Sequence, residues 1–249
     1  MNRHDQAGSS QPTSAQHSDA KIKEVPIAHT LTLQAIRPVT HDTQELTFER
    51  PDGFEFRPGQ ATDFALDKDE WRDEKRPFTM ASLPDADKLQ FVIKSYPDHD
   101  GVTEQIGQMQ PGAKVIIEEP WGAIEDRGPG TILAAGAGIT PFIAILRARL
   151  ADKGTLDGYR LIFSNSCEKD IILRDELTAM DGLETRFVLS DEEVEGLHHG
   201  KINGDLLDQL GIDAESTFYL CGPPEFEDDV ASALKERGVD EDNIVREED

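Results

Sequence analysis

The chain has 249 residues, 37% hydrophobic and 30% charged, a composition that builds one or two globular domains rather than a disordered polymer. Fifty acidic against 25 basic residues give a net charge of −25 and an isoelectric point near 4.5, which argues against nucleic acid as a partner. The most apolar run, Thr131 to Leu146, is broken by Gly136, Gly138 and Pro141 and falls short of the roughly 18 apolar residues of a membrane span, so no membrane insertion is expected.

Residues 1–25 are rich in Ser, Gln, Asp and His, with no basic start or apolar middle. They read as a disordered tail and not as an export signal, which makes the cytoplasm the expected compartment and free thiols the expected state of Cys167 and Cys221. Two cysteines cannot hold a four-cysteine iron–sulfur cluster, and the adjacent His198 and His199 have no third ligand at a metal-binding spacing, so no metal is expected. Acidic runs recur along the chain, at Asp67 to Glu74, Asp191 to Glu195 and Glu225 to Asp229. A generally acidic surface of this kind suits a halophilic cytoplasm, where a Debye length of about 3 Å at ~1 M salt screens self-repulsion.

Residues 26–125 carry short alternating runs, HTLTLQAIR, QELTFER, ATDFALD, LQFVIKSY and AKVIIEEP, separated by turns at Pro51-Asp52-Gly53, Pro58-Gly59, Pro84-Asp85 and Pro111-Gly112. That grammar predicts an antiparallel β-barrel with one helix over Thr103 to Met109. Within it, Arg76-Pro77-Phe78-Thr79 puts an arginine, an aromatic and a hydroxyl in close succession. In an extended segment Arg76 and Phe78 project to one side, a phosphate fork beside a flat apolar face; a surface arginine next to a core phenylalanine is the plainer alternative. Asp100-Gly101-Val102-Thr103 opens the helix and offers a second anion position.

Residues 126–249 change to strand, glycine turn and helix: TILAAGAG, TPFIAILRARLADKG, YRLIFSNS and DIILRDELTAM, then TRFVLS, KINGDLLDQLG, STFYLCGPP and EFEDDVASALKERG. The alternation predicts a doubly wound parallel α/β sheet. Gly136-Ala137-Gly138-Ile139-Thr140-Pro141 follows a strand and opens a helix, so its amides and the helix N-terminus suit a pyrophosphate, although a tight turn without a ligand would read the same way. Cys221 ends another strand, on the sheet edge where ligands of such folds bind, beside whatever the first glycine turn holds.

In that order and spacing, RPFTMAS, DGVT, PWG, GAGITPF and YLCGPP resemble the ferredoxin–NADP(+) reductase superfamily over about 220 residues, and within it the stand-alone flavodoxin or ferredoxin reductase-like flavoproteins. The resemblance implies an FAD-binding barrel domain over 26–125 and an NAD(P)-binding domain over 126–249, with FAD expected in preference to FMN. It implies Arg76 and Pro77 at the flavin pyrophosphate, Phe78 against the isoalloxazine, and Thr79 near flavin N5. Ile93, Lys94 and Ser95 would edge the flavin chain, and Gly101, Val102 and Thr103 would hold its phosphates. Gly136, Gly138, Ile139, Thr140 and Pro141 would line the nicotinamide nucleotide pyrophosphate, with Cys221, Gly222 and Pro223 near the nicotinamide. Thr79 and Cys221 are the implied catalytic pair.

The implied activity is hydride transfer from NADH or NADPH to FAD, then electron delivery to a ferredoxin, a flavodoxin or another acceptor protein. A reductase component of a multicomponent oxygenase, a free-flavin reductase and a non-catalytic flavin-binding subunit are the alternatives. NADH is favoured, because Asn165, after Ser164, stands where NADPH-preferring relatives place an arginine, although Lys169 pulls the other way. The chain departs from the family in having Phe78 for the commoner tyrosine, and in the lack of an aromatic in its last residues, Ile244 to Asp249.

Overall fold

The computed structural model describes residues 1, 27–96, 101–122 and 124–247; apart from Met1, the expected tail, with Pro26 and Asp100, lies outside them. Alternating β-branched and aromatic residues form β1 (Ala28–Pro38), β2 (Thr43–Glu49), β3 (Ala61–Leu66), β4 (Arg76–Thr79), β5 (Lys88–Lys94) and, beyond helix α1 (Val102–Gly107), β6 (Lys114–Glu118). Every pairing is antiparallel, in the order β4-β3-β6-β1-β2-β5. A bridge from Met80 to Phe91 joins the two ends, so the sheet closes into the expected barrel. Inside, Phe64 meets Phe48 and Phe91 edge to face, with centroids 6.1 and 5.4 Å away. Helix α1 ends at Gly107 rather than Met109, and it buries Val102 and Ile106 in this core.

The second half runs β7 (Gly130–Ala135), α2 (Thr140–Lys153), β8 (Arg160–Asn165), α3 (Arg174–Ala179), β9 (Glu184–Leu189), β10 (His198–His199), α4 (Gly204–Leu210), β11 (Thr217–Cys221), α5 (Pro224–Lys235) and β12 (Ile244–Val245). Its strands are all parallel, in the order β10-β9-β8-β7-β11-β12. Successive strand residues feed opposite faces. Ile132, Ala134, Leu161 and Phe163 pack with α2 and α3, whereas Leu133, Ile162, Phe218 and Leu220 pack with α4 and α5. The sheet is therefore doubly wound, as expected. The segment DIILRDELTAM is not a single helix, however. Ile171, Ile172 and Leu173 are buried in succession and Leu173 takes φ +54°, so α3 starts only at Arg174; a helix would have turned part of that triplet to solvent.

The halves share a core. Ala81, Val92 and Ile124 of the first pack into the cluster built around α2, whose residues Pro141 to Leu146 are all buried because the helix lies between sheet and barrel. The connection between the halves is pinned by two tyrosines. The Tyr219 hydroxyl donates to the Gly128 carbonyl (2.6 Å) and accepts from the Arg127 N–H (2.9 Å), and the Tyr159 hydroxyl donates to Asp126 (2.8 Å). Burial pushes the Tyr219 phenol up to about 12; burial, then the Asp126 hydrogen bond, raises Tyr159 as well. The unfolded chain releases these protons near pH ~10 and the folded chain retains them, so their contribution is intact below pH ~10 and is lost as pH rises. The urea midpoint is expected to be lower at pH 11 than at pH 8, with a smaller drop in Tyr159→Phe.

Candidate functional site

Strand order reverses at β7, with β8 to β10 on one side and β11 and β12 on the other. In open α/β sheets a crevice forms outside the carboxyl ends of the strands at such a point. Here β7 ends at Ala135, and Cys221, the last residue of β11, pairs with Ala134, so the Gly136 turn and Cys221 lie side by side. The barrel end formed by β4 and β5 faces them. Between the two lies a cleft of about 640 Å³, within the range of cofactor sites.

From the barrel, Pro77, Phe78 and Thr79 line the cleft, with Ile93, Lys94 and Thr103. Strand β4 is extended, as the Arg76 and Phe78 reading required. Phe78 stands edge-on to Phe64 (5.4 Å, 85°), which fixes its ring at the cleft wall, and Thr79 is 7% exposed. Arg76 does not line the cleft; its guanidinium donates to its neighbour's carbonyl on Lys75 (2.7 Å) and pairs with Glu74 (3.5 Å). Ser95 also stays outside, against Gly107, with its N–H bonded to the Asp42 carbonyl (2.7 Å). Gly101 caps α1 and Val102 faces the core, so among the described residues of that turn Thr103 alone reaches the cleft.

From the α/β half, Gly136, Gly138, Thr140 and Pro141 line it, joined by Ser164, Asn165, Cys221, Gly222 and Pro223. Ile139 is fully buried behind them. Residues Gly136–Ile139 make one 3-10 turn before α2, with Gly136 at φ +52° and Pro141 in the first helical turn. Gly138 is small for another reason: a Cβ there would fall on the Cys221 carbonyl oxygen and come within 2.7 Å of the Gly222 nitrogen. The Gly222 N–H donates to the Glu227 carboxylate (2.9 Å), which ties the loop after β11 to the first turn of α5.

Burial, then the Glu247 and Glu227 charges, pushes the Cys221 thiol well above the ordinary thiol range, so it stays neutral. Asn165 is 6% exposed, and among the described residues neither its amide nitrogen nor its amide oxygen has a hydrogen-bond partner. Beside it, the ends of β8 and β9 gather acids. The Glu168 N–H donates to Glu192 (2.7 Å), the Asp191 N–H donates to the Ser166 carbonyl (3.0 Å), and Arg174 is paired with Glu168. Asp170, at the end of the Ser164 to Asp170 segment, lines the cleft as well, and so do Tyr96, Ser190 and Glu247, which went unnoticed in the sequence. A spacing-based search could not find Glu247, since it belongs to no motif and arrives only because β12 carries the chain end back past β11.

His41, Asp42 and Asp170 come within 4.8 Å of one another, but Lys94 Nζ is 3.2 Å from Asp42, so the group reads as an ion-pair clasp between the halves. Burial alone would raise the Asp42 carboxyl; the Thr40 hydroxyl, Lys94 and His41 outweigh it and hold it low. His199 donates to the Glu192 carbonyl (3.0 Å) from the edge strand β10 and has no part in the cleft. No described helix is long and apolar enough to cross a membrane.

A closed antiparallel barrel joined to a doubly wound sheet, with one cleft shared between them, defines the two-domain class of flavin and nicotinamide-dinucleotide oxidoreductases. Residues 30–125 match the oxidoreductase FAD-binding domain family, and residues 132–232 match the oxidoreductase NAD-binding domain family. The chain therefore carries an FAD-binding oxidoreductase domain followed by an NAD-binding oxidoreductase domain, and the proteins it is similar to are ferredoxin–NADP(+) reductase-like flavoprotein reductases. Its relatives include NADH-cytochrome b5 reductase 2 of Mycosarcoma maydis, 30% identical, with 78% of this chain and 61% of that protein covered. Another is the reductase component of propane 2-monooxygenase from Mycolicibacterium goodii, 26% identical, with 91% and 69% covered. The chain thus spans less than two thirds of the first of these proteins. A solved ferredoxin NADP+ reductase from Neisseria gonorrhoeae with bound FAD and NADP has the same fold, with a TM-score of 0.74 at 22% identity over 85% of this chain and 92% of that one.

Proposed function

We propose that this protein takes a hydride from NADH onto FAD and passes the electrons on to a separate acceptor protein, such as a ferredoxin, a flavodoxin or an oxygenase. The observation that carries this reading is the cleft that sets Phe78 and Thr79 across from Gly136, Gly138 and Cys221. FAD, when bound, supplies the conversion of a two-electron donor into one-electron deliveries. The chain's own residues supply the rest. Phe78, braced by Phe64, is a flat apolar wall, and Thr79, which lines the cleft beside it, would offer its hydroxyl to a ring nitrogen of the bound flavin. Cys221, held neutral, offers a soft surface that neither attacks nor repels a nicotinamide ring.

The fit of a nicotinamide dinucleotide is supported by Asn165, whose unpaired buried amide costs about 1–3 kcal/mol per unmet group until a ligand supplies partners. The acids Asp191 and Glu192 at the neighbouring end of β9 disfavour a 2′-phosphate by like charge, Glu168 being neutralised by Arg174, which supports NADH over NADPH. The kcat/KM for NADH is expected to exceed that for NADPH by at least ~10-fold, and equal values would overturn the preference. Anaerobic mixing with NADH tests the function itself: bleaching of the flavin absorbance is expected, and its absence would favour a binding-only subunit.

We also place the protein in a salt-rich cytoplasm, on the strength of its net charge of −25. Its melting temperature is expected to rise with KCl as self-repulsion is screened, and a flat or falling series would count against this.

A further inference from the structure

We propose that Arg147 is a positioning residue that sets the distance between the flavin and nicotinamide walls of the cleft; the inference rests on the hydride transfer proposed above. Arg147 lies on α2, seven residues and about 10 Å beyond Thr140 at the cleft. Its Nη1 donates to the Ala81 carbonyl (2.7 Å), two residues past Thr79. That carbonyl is well fixed, because Ala81 is fully buried and its N–H is bonded to the Gln90 carbonyl (2.7 Å).

The other side of the guanidinium is held as firmly. Nε and Nη2 form a forked pair with Glu176 on α3 (2.6 and 2.8 Å). Nη2 is also 3.8 Å from Glu45 on β2, whose carboxylate is gripped in turn by Arg37 (3.1 and 2.9 Å). One planar group therefore ties the helix that starts at the glycine turn to the strand end that carries Thr79. Only the rigid fork of an arginine reaches all these acceptors at once; a lysine keeps one. Arg147 touches no ligand, because it lines a separate groove with Leu83, Leu150 and Met180 and is absent from the cleft. Its effect on chemistry runs through ring spacing, where a displacement of about 1 Å can cost on the order of 10²-fold in rate.

The test compares holoenzymes of wild type, Arg147→Met and Arg147→Lys. In Arg147→Met the rate of flavin bleaching at saturating NADH is expected to fall about 30-fold. FAD content should be unchanged, NAD+ affinity should stay within about threefold, and the lysine variant, which keeps one contact, should recover only part of the rate, to about fivefold below wild type. Trypsin cleavage after Arg127, between the halves, is expected to be at least about threefold faster in the methionine variant, a readout independent of turnover. Glu176→Ala frees two of the three hydrogen bonds and is expected to lose about fivefold, which tests the clamp if Arg147→Met does not fold. Wild-type bleaching with an unchanged saturating rate in the variants overturns this inference alone, as does a loss confined to NADH affinity. No bleaching of wild type overturns the proposed function and this inference with it.

Discussion

Gly138→Ala is expected to cut flavin bleaching by NADH at least ~100-fold, about 2.7 kcal/mol, while FAD stays bound at wild-type stoichiometry. A Cβ at this position would lie 2.5 Å from the Cys221 carbonyl carbon and 2.7 Å from the Gly222 nitrogen, closer than real Cβ contacts come. All of these atoms are backbone. Cys221 ends a strand paired to β7, and the Gly222 N–H is held by Glu227, so neither side can rotate away as a side chain would. The glycine turn and the loop after β11 must separate, and the two pieces of backbone that would flank a nicotinamide separate with them. The barrel is untouched, which is why flavin content serves as the internal control. Gly136→Ala should be milder: at φ +52° an alanine is strained by roughly 1–2 kcal/mol, but nothing lies within 4 Å of its Cβ. Near-wild-type bleaching in Gly138→Ala would show that the close approach of turn and loop does not set the nicotinamide position.

The elements that could be read from the sequence are those whose signal is local. Alternation gave five of the six barrel strands, all but β4, and a strand followed by glycines and a first-turn proline placed α2 at the cleft. The second half of β4's role was less visible. Phe78 looks like a ring-stacking aromatic from its motif, yet its orientation comes from Phe64, on a strand that pairs with it but is separated from it in sequence. The two-residue strands β10 and β12 had no local signature at all, because their pairing partners, β9 and β11, supply the order. The run Ile171 to Leu173 misled by composition, since an apolar triplet followed by Arg-Asp-Glu-Leu has the look of a helix until all three side chains must be buried. At the site, the motif residues were visible, whereas the charges that tune them were not. Glu247 and Glu227 reach Cys221, and Asp42 reaches Lys94, across turns that no spacing rule connects. Arg76 was legible as a cation beside the cleft, but not the fold-back of its guanidinium onto Glu74.

The second large effect is expected at Phe64, which joins stability to the cleft. Phe64 is fully buried at the centre of the barrel, with Phe48, Phe91 and Phe78 at centroid distances of 6.1, 5.4 and 5.4 Å. Phe64→Ala removes the ring from three edge-to-face contacts, and a barrel closed on itself cannot collapse to fill the space, so a loss of about 3–5 kcal/mol is expected. For a chain of this length that corresponds to a fall in melting temperature of roughly 6–20 °C. Phe78 then loses the surface that keeps its ring at the cleft wall, and FAD affinity should drop at least ~10-fold beyond any general effect of instability. Phe218→Ala supplies the comparison. Phe218 is equally buried, but it sits on the α4 and α5 face of the parallel sheet, away from the cleft. It should cost similar stability and leave FAD affinity unchanged in the folded fraction. Thermal melts together with FAD titrations of the two variants separate the cases: equal loss of FAD in both would mean that Phe64 acts through stability alone, whereas loss confined to Phe64→Ala identifies it as the brace behind Phe78.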